Sequence, residues 1–131
     1  MLDVARRTPI TVLIADDHGL FAEALEAILT TDKRIKVAGH ARDGAQAVEL
    51  TQDLQPDVVL MDISMPVLDG FEATRQIREL VPNSHVLMLT GSNSRHDVDR
   101  SREAGAAGYV TKDRIAAELV EAIIDAAGQP E

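Results

Sequence analysis

The chain has 131 residues, of which 45% are hydrophobic and 2% aromatic, and its formal net charge at pH 7 is −9. This size suits one domain with a real core and is too small for two ordinary domains. The acidic charge and the scarcity of aromatic side chains argue against nucleic-acid binding by this chain alone. A sequence without cysteine excludes a disulfide framework and thiolate metal sites.

The sequence predicts neither an export signal nor a membrane-spanning segment. Residues 1–9 lack the apolar core of a signal peptide, and no stretch approaches the length of a membrane span. We therefore expect no membrane association and a cytoplasmic location. The expected organisation is an N-terminal lead at residues 1–9, one domain at residues 10–127 and a C-terminal tail at residues 128–131.

The first two units of the predicted fold each consist of a strand followed by a helix. Residues 10–15 form an apolar run that ends at Asp16, Asp17 and His18, and a shorter run covers residues 35–39. Apolar side chains then recur at helical spacing after each run. The residues expected to face the core are Leu20, Phe21, Ala24, Leu25, Ile28 and Leu29 in the first helix and Val48 and Leu54 in the second.

The third unit contains the central strand. Residues 58–61 are four consecutive apolar residues between two acids, which is typical of a strand covered on both faces. Asp62 follows directly, where we expect the strand to reach the surface. The carboxyl ends of strands in an open α/β sheet are where ligands bind, so Asp62 is a candidate for chemistry. Asp69 and Gly70 then open a helix whose apolar residues are Phe71, Ile77 and Leu80.

The last two units differ in how strongly their helices are anchored. Residues 85–89 predict a fourth strand that ends at Thr90, Gly91, Ser92 and Asn93, and the helix predicted at residues 94–104 has Val98 as its only large apolar residue. That helix should be thinly anchored. Tyr109 and Val110 predict a short fifth strand. Asp113 can cap a final helix, whose inward stripe is Leu119, Val120, Ile123 and Ile124.

Five strands alternating with five helices predict an α/β fold with a parallel, doubly wound sheet. The strand-end motifs make the chain resemble the receiver domain of a two-component response regulator. These motifs are Asp16 and Asp17, Asp62 with Met65, Pro66, Asp69 and Gly70, Thr90 with Gly91, and residues 105–112 ending in Lys112. The motif Ala-Asp-Asp-His at residues 15–18, and Asp113 where many receivers have proline after the lysine, further resemble the NarL/FixJ-type subfamily.

The resemblance implies a five-stranded sheet in the order 2-1-3-4-5, the flavodoxin-like and chemotaxis-regulator-like (βα)5 arrangement. In that order Asp16, Asp17 and Asp62 meet at the switch point between strands one and three. Three carboxylates repel one another unless a cation intervenes, and oxygen ligands without cysteine favour Mg²⁺. By resemblance, Asp17 and Asp62 would bind Mg²⁺ directly, Asp16 through water, and Ser64 through its backbone carbonyl.

The implied activity is the acceptance of a phosphoryl group on Asp62 from a sensor histidine kinase. Lys112 and Thr90 would contact the phosphoryl oxygens, and Gly91 would leave room for the group to enter. Such a domain catalyses only its own phosphorylation and dephosphorylation. By resemblance, Thr90 and Tyr109 would then switch the face formed by the fourth helix, fifth strand and fifth helix. On that face Arg95, Asp97, Arg100, Arg102 and Glu103 offer charges to a partner or to a second copy in a homodimer.

The output stays open at this stage. The subfamily favours transcription control through a DNA-binding domain that this chain lacks, and a single-domain phosphorelay regulator is the alternative. A flavodoxin-like FMN carrier needs a Gly/Ser/Thr-rich phosphate cradle where this chain has two acids. An aspartyl-phosphate phosphohydrolase normally has a second acid where this chain has Ser64.

Simpler structural roles compete for several of these residues. Asp17 could cap the first helix, Thr90 could be an ordinary strand-end hydroxyl, Tyr109 a half-buried filler and Lys112 a solvated charge. Three adjacent residues are not expected to converge well on one ion, so we interpret His18 as a structural or surface residue. His40, His85 and His96 lie in other segments without the spacing of metal ligands, and we interpret them in the same way. The Lys112–Asp113 peptide bond should be trans, since a non-proline cis bond costs roughly 3 kcal/mol.

Overall fold

The computed structural model describes residues 9–91 and 95–129. Five parallel strands form one sheet in this part of the chain, in the order β2-β1-β3-β4-β5. The strands are β1 (Ile10–Ala15), β2 (Ile35–Ala41), β3 (Val58–Asp62), β4 (His85–Thr90) and β5 (Gly108–Thr111). The predicted fold class and strand order are confirmed.

Each strand is followed by a helix. These are α1 (Gly19–Leu29), α2 (Gly44–Leu54), α3 (Gly70–Leu80), α4 (Arg95–Ala104) and α5 (Ile115–Ala127), with a short 3₁₀ turn at Lys112–Arg114 before α5. Within the described ranges, no helix has the length and apolar character needed to cross a bilayer. The predicted turn at Ser92 and Asn93, Ser94 at the predicted start of the fourth helix, residues 1–8 of the lead and residues 130–131 of the tail lie outside these ranges.

The central strands are buried on both faces because side chains alternate between two separate cores. Val58 and Leu60 face the core beneath α1 and α5, whereas Val59 and Met61 face the core beneath α2, α3 and α4. All four side chains are fully buried. This two-sided burial explains the unbroken apolar run in the sequence, and it places the strand ends at one edge of the sheet.

Aspartates begin two of the helices, and both are well placed to do so. The side chain of Asp43 accepts a hydrogen bond of 2.8 Å from the backbone amide of Gln46 at the start of α2. Asp69 accepts one of 2.9 Å from Glu72 at the start of α3. Each bond satisfies an amide that the first helical turn leaves without a partner.

Several sequence predictions about the helices were wrong. Leu20, Ala24, Leu54 and Leu80 are exposed, although their spacing matched the inward stripes. Asp113 does not cap α5, because the 3₁₀ turn intervenes and Arg114 occupies the N-cap position without a side-chain cap. The short fifth strand predicted at Tyr109 and Val110 is confirmed, and it covers four residues. The Lys112–Asp113 bond is trans as predicted.

The thin anchoring predicted for the fourth helix is confirmed. The buried residues of α4 are Ser101 and Ala104, both small, and Val98 is only half-buried. By comparison, α5 buries Ile115, Leu119 and Ile123 against the sheet. Little apolar area therefore holds α4 in place.

Candidate functional site

Acidic side chains from the ends of β1 and β3 converge at the carboxyl edge of the sheet. The two strands are paired, with Ala15 opposite Met61, so Asp16 and Asp62 emerge side by side. Asp16 and Asp62 are each only 3% exposed, whereas Asp17 is exposed. One ligand atom from each of Asp16, Asp17, His18 and Asp62 lies within 4.8 Å of all the others. Asp62 is therefore recessed, although the sequence suggested a residue at the surface.

Each buried acid has one oxygen with a partner and one without. Asp16 Oδ1 accepts a hydrogen bond of 2.8 Å from the backbone amide of His18, and Asp62 Oδ1 lies 3.3 Å from Lys112 Nζ. Among the described residues, Asp16 Oδ2 and Asp62 Oδ2 are the buried side-chain oxygens that lack a hydrogen-bond partner. Leaving such oxygens buried and unpaired is costly. The donor set therefore fits a hard divalent cation.

The pKa of Asp62 is raised above its ordinary value. Burial is the largest cause, and the charge of Asp16 adds to it, while Lys112 and the backbone amide of Ser64 lower the pKa. An environment of this kind keeps the carboxylate poorly solvated and more basic than an exposed aspartate. A second positive charge near Asp62 would relieve this destabilisation. Ser64 itself is exposed, and the role of its carbonyl as a metal ligand stays a prediction.

Lys112 is positioned by two contacts at the end of β5. Its ammonium group lies 3.3 Å from Asp62 Oδ1 and 4.7 Å from the centre of the Phe21 ring. Phe21 comes from α1, where it also packs against the core. A cation above an aromatic ring is attracted by the negative face of the ring. Sequence reasoning missed this role, because Phe21 reads there as one more residue of an apolar stripe.

The start of α3 packs closely against the backbone of Asp62, the phosphoacceptor candidate, and of Ile63. The amide of Gly70 donates a hydrogen bond of 3.0 Å to the carbonyl of Ile63. A Cβ atom at Gly70 would clash with the carbonyl oxygen of Asp62 and lie 2.9 Å from Ile63 Cα. Glycine is therefore required at this close approach, and it fixes the loop that follows Asp62.

Thr90 and Gly91 follow the neighbouring strand. Asp62 is paired with Leu89, so buried Thr90 lies one residue further along β4, opposite Thr111. A Cβ atom added at Gly91 would meet nothing within 4 Å. The space next to Gly91 is therefore open, and the roles of Thr90 and Gly91 toward a phosphoryl group stay predictions.

Tyr109 is 42% exposed and lines a cavity of about 180 Å³ between β5 and α4. Its neighbours there include Val98, Ser101 and Arg102. Arg100, in contrast, lies 4.0 Å above the ring of Phe71 from α3. The expectation that Arg100 serves the exposed face of α4, β5 and α5 was therefore wrong, because its guanidinium packs toward α3.

His18 lies at the acidic pocket, whereas the other three histidines lie elsewhere in the fold. His18 Nδ1 lies 3.4 Å from Asp16 Oδ1 and 3.2 Å from Asp17 Oδ1, so the expectation that three adjacent residues cannot converge was wrong. His40 pairs with Glu26 at 2.7 Å, His85 is buried and His96 is exposed. The alternative that Asp17 caps α1 also fails, because His18 occupies the N-cap position.

Comparison with known proteins identifies this arrangement. The family model of the response regulator receiver domain matches residues 12–124. The chain belongs to the response regulator receiver domain family. The response regulator protein VraR of Staphylococcus saprophyticus is 37% identical over 115 residues, which cover 88% of this chain and 55% of VraR. The chain spans about half the length of the first curated relatives it matches.

Solved structures of receiver domains share the fold. The signal receiver domain of the putative response regulator NarL from Mycobacterium tuberculosis has a TM-score of 0.86 and 35% identity, and covers 92% of this chain and 98% of that chain. A chain of the CheX–CheY–BeF3–Mg²⁺ complex from Borrelia burgdorferi has a TM-score of 0.81 and 27% identity, with coverages of 88% and 87%.

Proposed function

We propose that this receiver domain accepts a phosphoryl group on Asp62 from a sensor histidine kinase, in a reaction that requires Mg²⁺. The observation that carries the proposal is the state of the Asp62 carboxylate, which is buried, paired with Lys112 at 3.3 Å through one oxygen, and left with its other oxygen unpartnered. A buried and basic carboxylate beside a fixed cation is a suitable nucleophile. We place the receiver unit at residues 10–127.

The proposed step transfers a phosphoryl group from a donor to the Asp62 carboxylate. A carboxylate oxygen of Asp62 forms a bond to phosphorus, and the bond between phosphorus and the donor's leaving atom breaks. The leaving atom keeps the electron pair, and Asp62 becomes an acyl phosphate. Lys112 offers positive charge to the phosphoryl oxygens during this transfer, and the Thr90 hydroxyl donates a hydrogen bond to one of them.

Asp16, Asp17 and Asp62, with the backbone carbonyl of Ser64, would hold the cation. The unpartnered oxygens of Asp16 and Asp62 support this assignment, and the exposed carboxylate of Asp17 lies close enough to join them. When bound, Mg²⁺ would supply charge that offsets the repulsion between the acids and the incoming phosphoryl group. The CheX–CheY–BeF3–Mg²⁺ complex supports this choice of ion by similarity.

The rival functions have weaker support. The turn after β1 contains Asp16 and Asp17, which would repel the phosphate of FMN. Ser64 stands where an aspartyl-phosphate hydrolase would need an acid for turnover. We therefore propose that the domain catalyses only its own phosphorylation and dephosphorylation. Control of transcription is the output we favour, because the curated relatives include proteins described as transcriptional regulators.

Incubation with Mg²⁺ and a small phosphodonor such as acetyl phosphate tests the proposal. Intact-mass spectrometry should find one added phosphoryl group on the wild type and none on Asp62→Asn. Asp53→Asn changes an exposed acid on α2 and serves as the matched control, which should label like the wild type. An unchanged wild-type mass would contradict the proposed function. Continuous release of phosphate without a labelled protein would favour the hydrolase instead.

A further inference from the structure

The exposed ring of His18 is held beside the acidic pocket by its neighbours Asp16 and Asp17. The ring is 70% exposed, so burial does not fix it, yet its Nδ1 atom lies against the carboxylates of both Asp16 and Asp17. The backbone amide of His18 donates to Asp16 Oδ1 and closes a local turn. This turn directs the imidazole toward the acidic pocket.

The side-chain donor atoms in the pocket are close to the spacing of ligands around one ion. Two atoms that each bind a metal at about 2.1 Å are at most about 4.2 Å apart. The oxygens of Asp16, Asp17 and Asp62 and the His18 nitrogen all lie within 4.8 Å of one another. The exposed side chains of Asp17 and His18 can move toward the buried carboxylates of Asp16 and Asp62 to shorten these distances.

A second observation points to a cation independently of this clustering. Asp16 Oδ2 and Asp62 Oδ2 are buried and have no hydrogen-bond partner among the described residues. The two carboxylates that supply these oxygens are about as buried as side chains become, each at 3% exposure. A cleft of about 270 Å³ borders Asp16 and Asp17 on the side of His40.

The chemistry of the nitrogen ligand decides which cation benefits. Mg²⁺ prefers oxygen ligands and keeps several waters. Imidazole instead suits Ni²⁺, Cu²⁺ and Zn²⁺, and the affinity of a given site rises along the first transition row as far as Cu²⁺. An added nitrogen ligand therefore strengthens the binding of these later ions much more than the binding of Mg²⁺.

We propose that His18 is a fourth ligand of the acidic pocket and strengthens its preference for divalent transition-metal ions over Mg²⁺. The inference rests on the proposed function, because it assigns a selectivity residue to the same cation site. Transition-metal ions would then compete with Mg²⁺ for the pocket, and His18 would set the outcome of that competition. The competing explanation is that the imidazole only pairs with the two acids and never binds metal.

Calorimetric titration of the metal-stripped chain with Ni²⁺ and, separately, with Mg²⁺ tests the inference. His18→Gln should weaken Ni²⁺ binding by at least about tenfold, since even indirect changes around a metal commonly cost 10–100-fold. The same variant should leave Mg²⁺ affinity within about twofold. His40→Gln removes the histidine of the neighbouring cleft and His96→Gln removes an exposed one on α4. Both controls should bind Ni²⁺ like the wild type.

A second readout places the bound ion next to the His18 ring. Paramagnetic Ni²⁺ should broaden the ring signals of His18 in the NMR spectrum, and excess Mg²⁺ should restore them. Unchanged Ni²⁺ affinity in His18→Gln would overturn the inference and leave the Mg²⁺-dependent function standing. Ni²⁺ binding that depends on His18 in a chain that binds no Mg²⁺ would support the inference and contradict the proposed function.

Discussion

Asp62 is held in the folded protein in surroundings that favour its protonated form. Burial and the charge of Asp16 raise its pKa, and Lys112 and the Ser64 amide offset this only in part. At pH values just above the ordinary aspartate pKa of about 3.9, the folded chain therefore binds more protons at this group than the unfolded chain. Stability at this site falls as pH rises from that value through the folded pKa and stays lower above it.

We expect Asp62→Asn to be more stable than the wild type at pH 7 in the absence of divalent cations. The difference should narrow as pH falls toward 4, because protonation of Asp62 removes the same charge in the wild type. Mg²⁺ at about 100 times its Kd should stabilise the wild type by about 2.7 kcal/mol and the variant by much less. Urea unfolding followed by circular dichroism measures all three quantities. A variant no more stable than the wild type at pH 7 would contradict the assigned pKa direction.

Phe21 positions the ammonium group of Lys112 beside Asp62. Phe21→Leu keeps the apolar volume against the core and removes the aromatic face, a loss of about 0.5–1 kcal/mol. If that contact is kept during the transfer, the phosphorylation rate should fall roughly two- to fivefold. Stopped-flow kinetics with acetyl phosphate measures the rate.

Leu20→Ala is the matched control for this comparison, because Leu20 lies on the same turn of α1 and is 84% exposed. Its rate with the small phosphodonor should equal that of the wild type. Equal rates for wild type and Phe21→Leu would show that Lys112 finds its position without the ring.

The convergence of Asp16 and Asp62 was predictable, since both residues follow apolar strands whose carboxyl ends meet at one edge of a parallel sheet. The contributions of Phe21 and His18 were not. The Phe21 ring approaches Lys112 across more than 90 positions of sequence, a proximity that periodicity cannot reveal. The convergence of His18 depends on the backbone turn at Asp16, which adjacent sequence letters do not specify.

At the scale of elements, the strands were predicted well and the helix ends poorly. Burial on both faces produces the unbroken apolar run of β3 in the sequence. Helical spacing, however, marks Leu20, Leu54 and Leu80 as inward, although each lies at a helix end where no sheet covers it. Asp113 looked like a cap, but it lies inside the 3₁₀ turn that precedes α5, and Arg114 occupies the N-cap position.

The junction between β3 and α3 depends on Gly70. Gly70→Ala should destabilise the domain by about 1–3 kcal/mol, since the added methyl group overpacks the backbone at Asp62 and Ile63. Gly91→Ala should change stability little, because open space surrounds that position. Urea unfolding of both variants checks the contrast. If the two variants are equally stable, the loop after Asp62 accommodates the added methyl group without loss of stability, which would contradict this prediction.

At the scale of the whole molecule, the carboxyl edge of the sheet contains the proposed phosphorylation site. We expect phosphorylation there to change the neighbouring face formed by α4, β5 and α5. Thr90 connects the two, because it ends β4 and lies opposite Thr111 of β5. Tyr109 and the thinly anchored α4 border the cavity of about 180 Å³ on the face of α4, β5 and α5. A helix with few buried contacts shifts at small energetic cost.

We expect beryllofluoride with Mg²⁺ to move Tyr109 inward and to change self-association through the face of α4, β5 and α5. NMR chemical shifts should then change at Asp62 and also across residues 95–112. Thr90→Ala should still bind the mimic and lose the distant changes. Shifts confined to the surroundings of Asp62, or a Thr90→Ala variant that responds like the wild type, would rule out this switch and leave the phosphorylation chemistry in place.

The central claim is that Asp62 is the phosphoryl acceptor, and chemical trapping tests it most directly. Borohydride reduces an acyl phosphate on aspartate to homoserine, so treatment of the chain after incubation with acetyl phosphate and Mg²⁺ marks the labelled residue. Peptide mass mapping should then find homoserine at position 62 and unmodified aspartate at positions 16 and 17. Homoserine at either of those positions instead, or a phosphoryl label on serine or histidine that borohydride leaves intact, would contradict the account.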